Sequence, residues 1–384
     1  MIAFLQLRWL GRTRVRAYSI ILALVSAVSM IWMFQRAMGP DGSDFQAFWS
    51  AGRLVLSGAA ADAYDPAVMA GVQAKAGLRD VFAFVNPPPM LLAVWLLALL
   101  KYPLAWVAWV AASYGVWLVV TRRLAPELTW PIAAFPGALV AAWHAQTGFF
   151  TSIFQGLAAL WLRERPFCAG LCIGVLIVKP QLALLFPVAL LAARLWRVIA
   201  GAAVSVAGLL LLSWLLLGSE TMLAYPQSWA VSDYLLRTGS DEFFLRQVTP
   251  YAMVRVMAGH GAALTVQAAV TLAMAALTWR AWARAGPYEG KLALLFAATP
   301  LATPYLFSYD LPFLIIPLCW LVREHRNAAL GNWERPVLLA LYLSPLVTRA
   351  MALPAGLNPM PLVLLALVAL IWRRLQQPST PIAA

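Results

Sequence analysis

The chain has 384 residues, of which 63% are hydrophobic and 11% charged. Its mean hydropathy is +0.78. A soluble domain carries about a quarter of its residues charged, so the composition excludes a water-covered globule and predicts an all-α polytopic membrane protein. The net charge of +13 would suggest nucleic acid in a soluble protein. Here the basic residues stand in short clusters between apolar runs, so the charge reads as membrane topology, with attraction to anionic lipid second and no nucleic-acid partner.

Arg8, Arg12, Arg14 and Arg16 precede the first apolar run, place the N-terminus in the cytoplasm and send a first helix, 17–37, outward. No small-residue cleavage site follows the run, so it is expected to stay as an anchor. Residues 38–82 form a first external loop. Within it Phe45 to Leu56 is predicted to be helical, with Asp44 as its N-cap. Asp62 and Asp65 look like turn residues, and Asp65-Pro66 reads as a turn. The segment 84–100 opens with Asn86-Pro87-Pro88-Pro89, and 104–121 ends at Arg122-Arg123. If both segments crossed, every later basic cluster would be inverted. We therefore expect 84–100 to be a juxtamembrane or re-entrant helix.

Further spans are expected near 129–143, 149–162, 167–178, 181–193, 198–217, 261–281, 291–303, 311–322, 336–353 and 359–373. That makes about twelve with both termini cytoplasmic, and several are shorter than the roughly 20 residues a crossing prefers. A longer external loop covers 218–260, and a proline- and threonine-containing tail follows Arg374. No internal repeat or second domain is evident.

On this topology the unusual polar residues share one face. They are Asp44, His144, Gln146, Lys179, Gln181, Tyr305, Tyr309 and Asp310. Ionisable groups at membrane depth cost several kcal/mol unless paired or wet, which suggests one polar cavity. Simpler roles stand beside the functional ones. Asp44 could only cap its helix, Lys179 could snorkel, and Asp310 could pair with Lys179 or an arginine. Arg237, Arg246 and Arg255 could bind phosphate or be ordinary loop residues. Cys168, Cys172 and Cys319 lie in apolar runs and read as packing residues. With three scattered histidines, His144, His260 and His325, no metal cage is indicated. There is no P-loop, dinucleotide fingerprint, zinc-protease motif or nucleophile elbow.

Asp44 with Phe45-Gln46-Ala47-Phe48-Trp49, then Tyr64-Asp65-Pro66, resembles the first external loop of glycosyltransferase family 87. Asn86-Pro87-Pro88, Gln146 to Ser152, Gly170 to Gln181 and Thr303 to Leu311 resemble later segments of that family, in the same order. Two positions depart: Asn86 stands where the family usually has tyrosine, and Tyr305 stands near its usual histidine. The resemblance implies a GT-C fold and a bacterial inner-membrane enzyme. Such an enzyme moves a sugar, typically mannose, from a polyprenyl-phosphate donor to a lipid or glycan acceptor on the periplasmic side, with no cofactor. A lipid phosphate leaves as a stable anion and needs no acid, so one carboxylate suffices as base, with inversion expected. That assigns Asp44 as base and Lys179, His144 and Tyr305 to the donor phosphate. Gln146, Gln181, Tyr309 and Asp310 support them. A transporter or flippase for polyprenyl-linked sugars is the competing reading.

Overall fold

The computed structural model describes residues 6–327 and 333–377. Most of the tail after Arg374 and the side chains of His325 and Arg326 therefore lie outside the described residues. In chain order the α-helices are α1 (Arg12–Ala37), α2 (Phe45–Leu56), α3 (Pro66–Lys75), α4 (Leu91–Val94), α5 (Tyr102–Leu124) and α6 (Thr129–Ala133). They continue with α7 (Pro136–His144), α8 (Gly148–Trp161), α9 (Pro166–Val175), α10 (Phe186–Ala192), α11 (Trp196–Ala224) and α12 (Gln227–Thr238). The last are α13 (Asp241–Leu245), α14 (Pro250–Trp282), α15 (Tyr288–Ala298), α16 (Ile315–Asn327), α17 (Glu334–Ala355) and α18 (Met360–Leu375). Among the described residues the sole strand-like contact is a bridge between Gln247 and Phe307.

Five of these helices, α1, α5, α11, α14 and α17, are long and apolar enough to cross a membrane. α1 exposes Ile21, Leu24, Val28 and Ile31 along its length, which suits a helix bathed in lipid. By contrast, every residue from Gly290 to Ala298 in α15 is buried, so α15 is a central post. Several expected spans are broken by proline. Pro136 separates α6 from α7, and Pro180 starts a 3-10 turn ahead of α10. Pro312 lies in the 3-10 segment before α16. Each proline removes a backbone donor and fixes φ. A helix such as α8, with 14 residues, rises only about 21 Å, short of the roughly 30 Å hydrocarbon layer. The joints between these short helices carry the polar residues.

The expected external loop 218–260 is largely helical. α11 and α14 each bend at a glycine with φ +81°, Gly218 and Gly259, and α12 and α13 lie between the bends. α9 and α11 pack backbone to backbone. A Cβ at Gly170 would sit 2.1 Å from the Val198 carbonyl, and one at Gly201 would sit 2.2 Å from the Phe167 carbonyl. Small residues permit that approach where apolar packing alone drives association.

Segment 84–100 is not the single helix expected. It runs as a 3-10 turn at Pro88–Met90, opened by its prolines, then α4, then a 3-10 turn at Leu97–Leu99. Its first end is fixed by Asn86, whose amide donates to the Val178 carbonyl at 3.0 Å. Its last carbonyl, on Leu100, accepts from the Trp49 indole at 3.0 Å. The middle packs on α2, where Gly52 meets the Val94 carbonyl. The first end therefore lies beside the 176–178 turn, while the middle and the last end lie beside α2.

Basic clusters meet at the other end. Arg323 bonds Glu127 at 2.7 Å, and Arg163 faces Glu289 at 3.9 Å. Arg374 pairs with Glu334, Arg284 donates to Gln376 at 3.2 Å, and Arg16 lies over Trp130. The loops after α5 and α8 and the start of α15 thus share one end of the bundle with the start of α17 and the end of α18.

Candidate active site

The Gly39–Asp44 stretch turns on Gly42, whose φ is +59°. A side chain there would meet Leu78 at 2.8 Å, so glycine serves both the turn and the packing. The Arg79 amide donates to the Pro40 carbonyl at 3.0 Å. Asp41 points outward, 56% exposed, toward Arg79 at 3.8 Å. Asp44 points inward. It begins α2 with helical dihedrals and makes no side-chain capping bond, which overturns the capping expectation. The aspartate that does cap is Asp65: its carboxylate accepts from Ala67 N at 2.7 Å and Val68 N at 3.3 Å, with Pro66 opening α3. Freed from capping, Asp44 Oδ2 lies 3.4 Å from His144 Nδ1. The two side chains are 29% and 24% exposed, so the pair is reachable by solvent and substrate.

His144 ends α7. Ala145 then takes a left-handed conformation, φ +47°, an uncommon state for a residue with a side chain. It reverses the chain into Gln146, Thr147 and α8. The Gln146 side chain accepts from Thr147 N at 3.2 Å. A Cβ on Gly148 would lie 2.1 Å from the Tyr309 carbonyl, so α8 begins against the 305–310 loop with no room to spare.

Lys179 sits at the joint between α9 and α10. Its Nζ lies 2.5 Å from Asp310 Oδ1 and 3.5 Å from Thr147 Oγ1. Asp310 is fully buried, and its other oxygen accepts from Phe307 N at 3.3 Å. Burial pushes the Asp310 carboxyl up, opposed by the Lys179 ammonium and the Phe307 N–H. The pair expected as one alternative is therefore formed. Lys179 also lies 5.3 Å from the Tyr309 ring centre, and the His144 ring packs against that ring, tilted by 53°, at the same distance. Tyr309 thus bridges the Asp44–His144 pair and the Lys179–Asp310 pair.

Tyr305 packs on Phe307 at 5.4 Å and Phe243 at 6.2 Å. Its phenol and that of Tyr309 both feel Asp44 and Asp310. Burial, helped by these two carboxylates, pushes both pKa values up, so both groups remain hydrogen-bond donors at neutral pH. Gln181, half-buried in the turn Pro180–Ala183, enters none of these contacts.

Two arginines complete the electrostatics. Arg246 is held rigidly. Its carbonyl accepts from Ser308 N, and Val248 N donates to the Leu306 carbonyl. The Asn358 amide bonds the carbonyls on either side, those of Leu245 and Gln247. Its guanidinium pairs with Glu242, while its Nε is buried without a partner, and Tyr309 lies within its electrostatic reach. Arg349, half-buried on α17, lies within electrostatic reach of Arg246, Glu242 and Asp44. Arg246 was one of three loop arginines the sequence left open. Arg349 was missed, although an arginine inside an apolar run is itself a signal of function. Among the described residues no group of three His, Cys, Asp or Glu side chains could hold a metal ion.

One end of the bundle therefore holds one accessible carboxylate beside a histidine and one buried carboxylate paired with lysine. Around them stand two phenols and two arginines. The model of the family described as Glycosyltransferase family 87 matches residues 84–304. The match takes in His144 and Lys179, while Asp44 and the 305–310 loop join them through the contacts above. No curated protein and no solved structure matches.

Proposed function

The chain belongs to glycosyltransferase family 87 and is an integral membrane glycosyltransferase; from that premise we propose that it takes a sugar, mannose first, from a polyprenyl-phosphate carrier. The acceptor is a lipid or glycan hydroxyl on the face where Asp44 opens, the periplasmic face on the charge pattern. The fold is of the GT-C kind, with about twelve crossings once the short and broken helices are counted.

Asp44 takes the acceptor's proton, and the acceptor oxygen attacks the anomeric carbon from the side opposite the carrier phosphate. The C–O bond to phosphate breaks, and the configuration inverts. The observation that carries this reading is the inequality of the two carboxylates. Asp44 is 29% exposed and faces a histidine, whereas Asp310 is fully buried on Lys179. One free base and no second free acid suits a phosphate leaving group, which departs as a stable anion, and does not suit glycoside hydrolysis, which needs an acid for a poor leaving group.

The donor phosphate is assigned to Arg246, Arg349, His144 and the phenols of Tyr305 and Tyr309, with Lys179 contributing through its pair. Arginine offers a planar fork matched to phosphate oxygens. Gln146 holds the turn after His144. The gathering of the polar groups at one end of the bundle favours this reading over a transporter, since transporters bind cargo near the midplane.

In proteoliposomes, Asp44→Asn should lower transfer from a polyprenyl-phosphate-mannose donor by about 10²–10⁴-fold, with folding and carrier binding retained, as general-base removal does. Wild-type rates in that variant would reject the base. Equal use of a soluble nucleotide sugar by the native protein would reject the carrier.

A further inference from the structure

A cavity of about 680 Å³ opens at the end of the bundle away from Asp44. Three chain segments fix its position. Lys179 and Arg194 stand at opposite ends of the 180–193 segment. Lys291 and Tyr305 stand at opposite ends of the stretch containing α15. Thr249, whose hydroxyl donates to the Pro304 carbonyl beside Tyr305 at 3.1 Å, and Trp282 bracket α14. In each case the first site lies at one end and the cavity at the other.

The cavity walls are the corner between α10 and α11 and the corner between α14 and α15. Arg194, Arg284 and Lys291 supply charge, and Trp279, Trp282 and Tyr288 supply rings. None of the lining residues is acidic. The neighbouring Glu289 is directed to Arg163, outside the lining. The partners of these cations are neutral: Lys291 donates to the Arg284 carbonyl, and Arg284 donates to Gln376 at 3.2 Å and lies over Trp372. Three positive charges thus converge on a concave surface without a carboxylate among its walls, a field that attracts an anion.

Arg194 carries a second mark. Its φ is +54°. It follows the end of α10, donating its amide to the Leu191 carbonyl at 3.1 Å, while Leu195 N reaches the Leu190 carbonyl at 2.9 Å. Such helix ends usually take glycine at the left-handed position. An arginine there keeps a backbone conformation that glycine adopts without strain, and strain of this kind gathers at binding sites. The surfaces beside the cavity are apolar and exposed. Leu184 and Leu191 are 45% and 47% exposed, and Leu272 and Trp279 are 71% and 51% exposed. A charged hollow flanked by apolar stripes on a membrane-spanning helix fits an amphiphile. A tryptophan at the boundary fits headgroup depth.

We propose that this cavity binds the headgroup of an anionic phospholipid, its phosphate between Arg194 and Arg284 and its acyl chains along the Leu184–Leu191 and Leu272–Trp279 faces. The inference is independent of the sugar-transfer reading.

The test titrates delipidated protein in detergent with phosphatidylglycerol or with phosphatidylcholine of the same chains. Bound lipid is counted by native mass spectrometry, and Tm is followed in parallel. Phosphatidylglycerol should bind selectively. Arg194→Gly should keep or raise the Tm of the delipidated protein while weakening phosphatidylglycerol about fivefold, as should Arg284→Gln. Equal occupancy by phosphatidylcholine, or unchanged occupancy in both variants, would overturn the proposal. Displacement of phosphatidylglycerol by glycerol phosphate at equal concentration would overturn it too, by marking a site for free anions.

Discussion

Asp44, Asp65 and Asp310 have the same side chain and three different duties. Asp65 caps a helix, Asp310 pairs with a lysine, and Asp44 is left free beside a histidine. Removing one partner of a buried pair leaves the other charge stranded, at a cost of about 3–5 kcal/mol. Lys179→Met and Asp310→Asn should each lower stability by that order, and the double variant should recover most of the loss. A thermal double-mutant cycle checks this, and strict additivity would show that the two do not interact. Arg349 belongs to the same scale. As a phosphate ligand, Arg349→Gln should raise the donor KM about tenfold with a smaller change in acceptor KM. Unchanged donor dependence would remove it from the site. Apolar context marked Lys179 as unusual in the sequence and offered Asp310 as one of its possible partners, but only the fold chose between Lys179 and an arginine for Asp310, 131 residues away.

Elements decide how closely these residues meet. The start of α8 touches the backbone of Tyr309, and Gly148 is the residue that permits it. Gly148→Ala should push the 305–310 loop away, costing about 1–3 kcal/mol by overpacking and lowering transfer more than stability, because Tyr309 links both charged pairs. Parallel assays of Tm and rate would separate the two effects, and an unchanged rate would show that the loop tolerates the shift. Helix α2 was legible to its residue bounds, since Asp44 precedes it and Ser57-Gly58 stops it. For the segment 84–100 the charge pattern led to a non-spanning expectation, and the labelling experiment below tests it. The segment was not legible as three short turns, because the three prolines permit several local paths and packing against α2 selects among them.

For the whole molecule, the apolar content and the spacing of arginines indicate a membrane protein with its basic clusters at one end. The contacts among Glu127, Arg323, Arg163 and Glu289 agree. Single cysteines introduced at Ala83 and Leu124 should label from opposite sides of sealed vesicles, since α5 runs the length of the bundle between them while 84–100 is expected not to cross. Labelling from one side would invert the scheme. The expected twelve crossings meet five helices of full spanning length, because proline breaks and short helices divide the rest.

The sequence alone determined the solvent of this protein, its helical class and the set of polar residues that apolar surroundings make costly. Those properties follow from composition, local periodicity and charge order, which are written along the chain. Only the tertiary structure decided which carboxylate is free, that Asp65 and not Asp44 caps a helix, that Lys179 is paired, and that Arg349 lies within electrostatic reach of Asp44 and Arg246 within that of Tyr309. Each depends on contacts between segments far apart in sequence, where distance and burial, not residue type, set the chemistry.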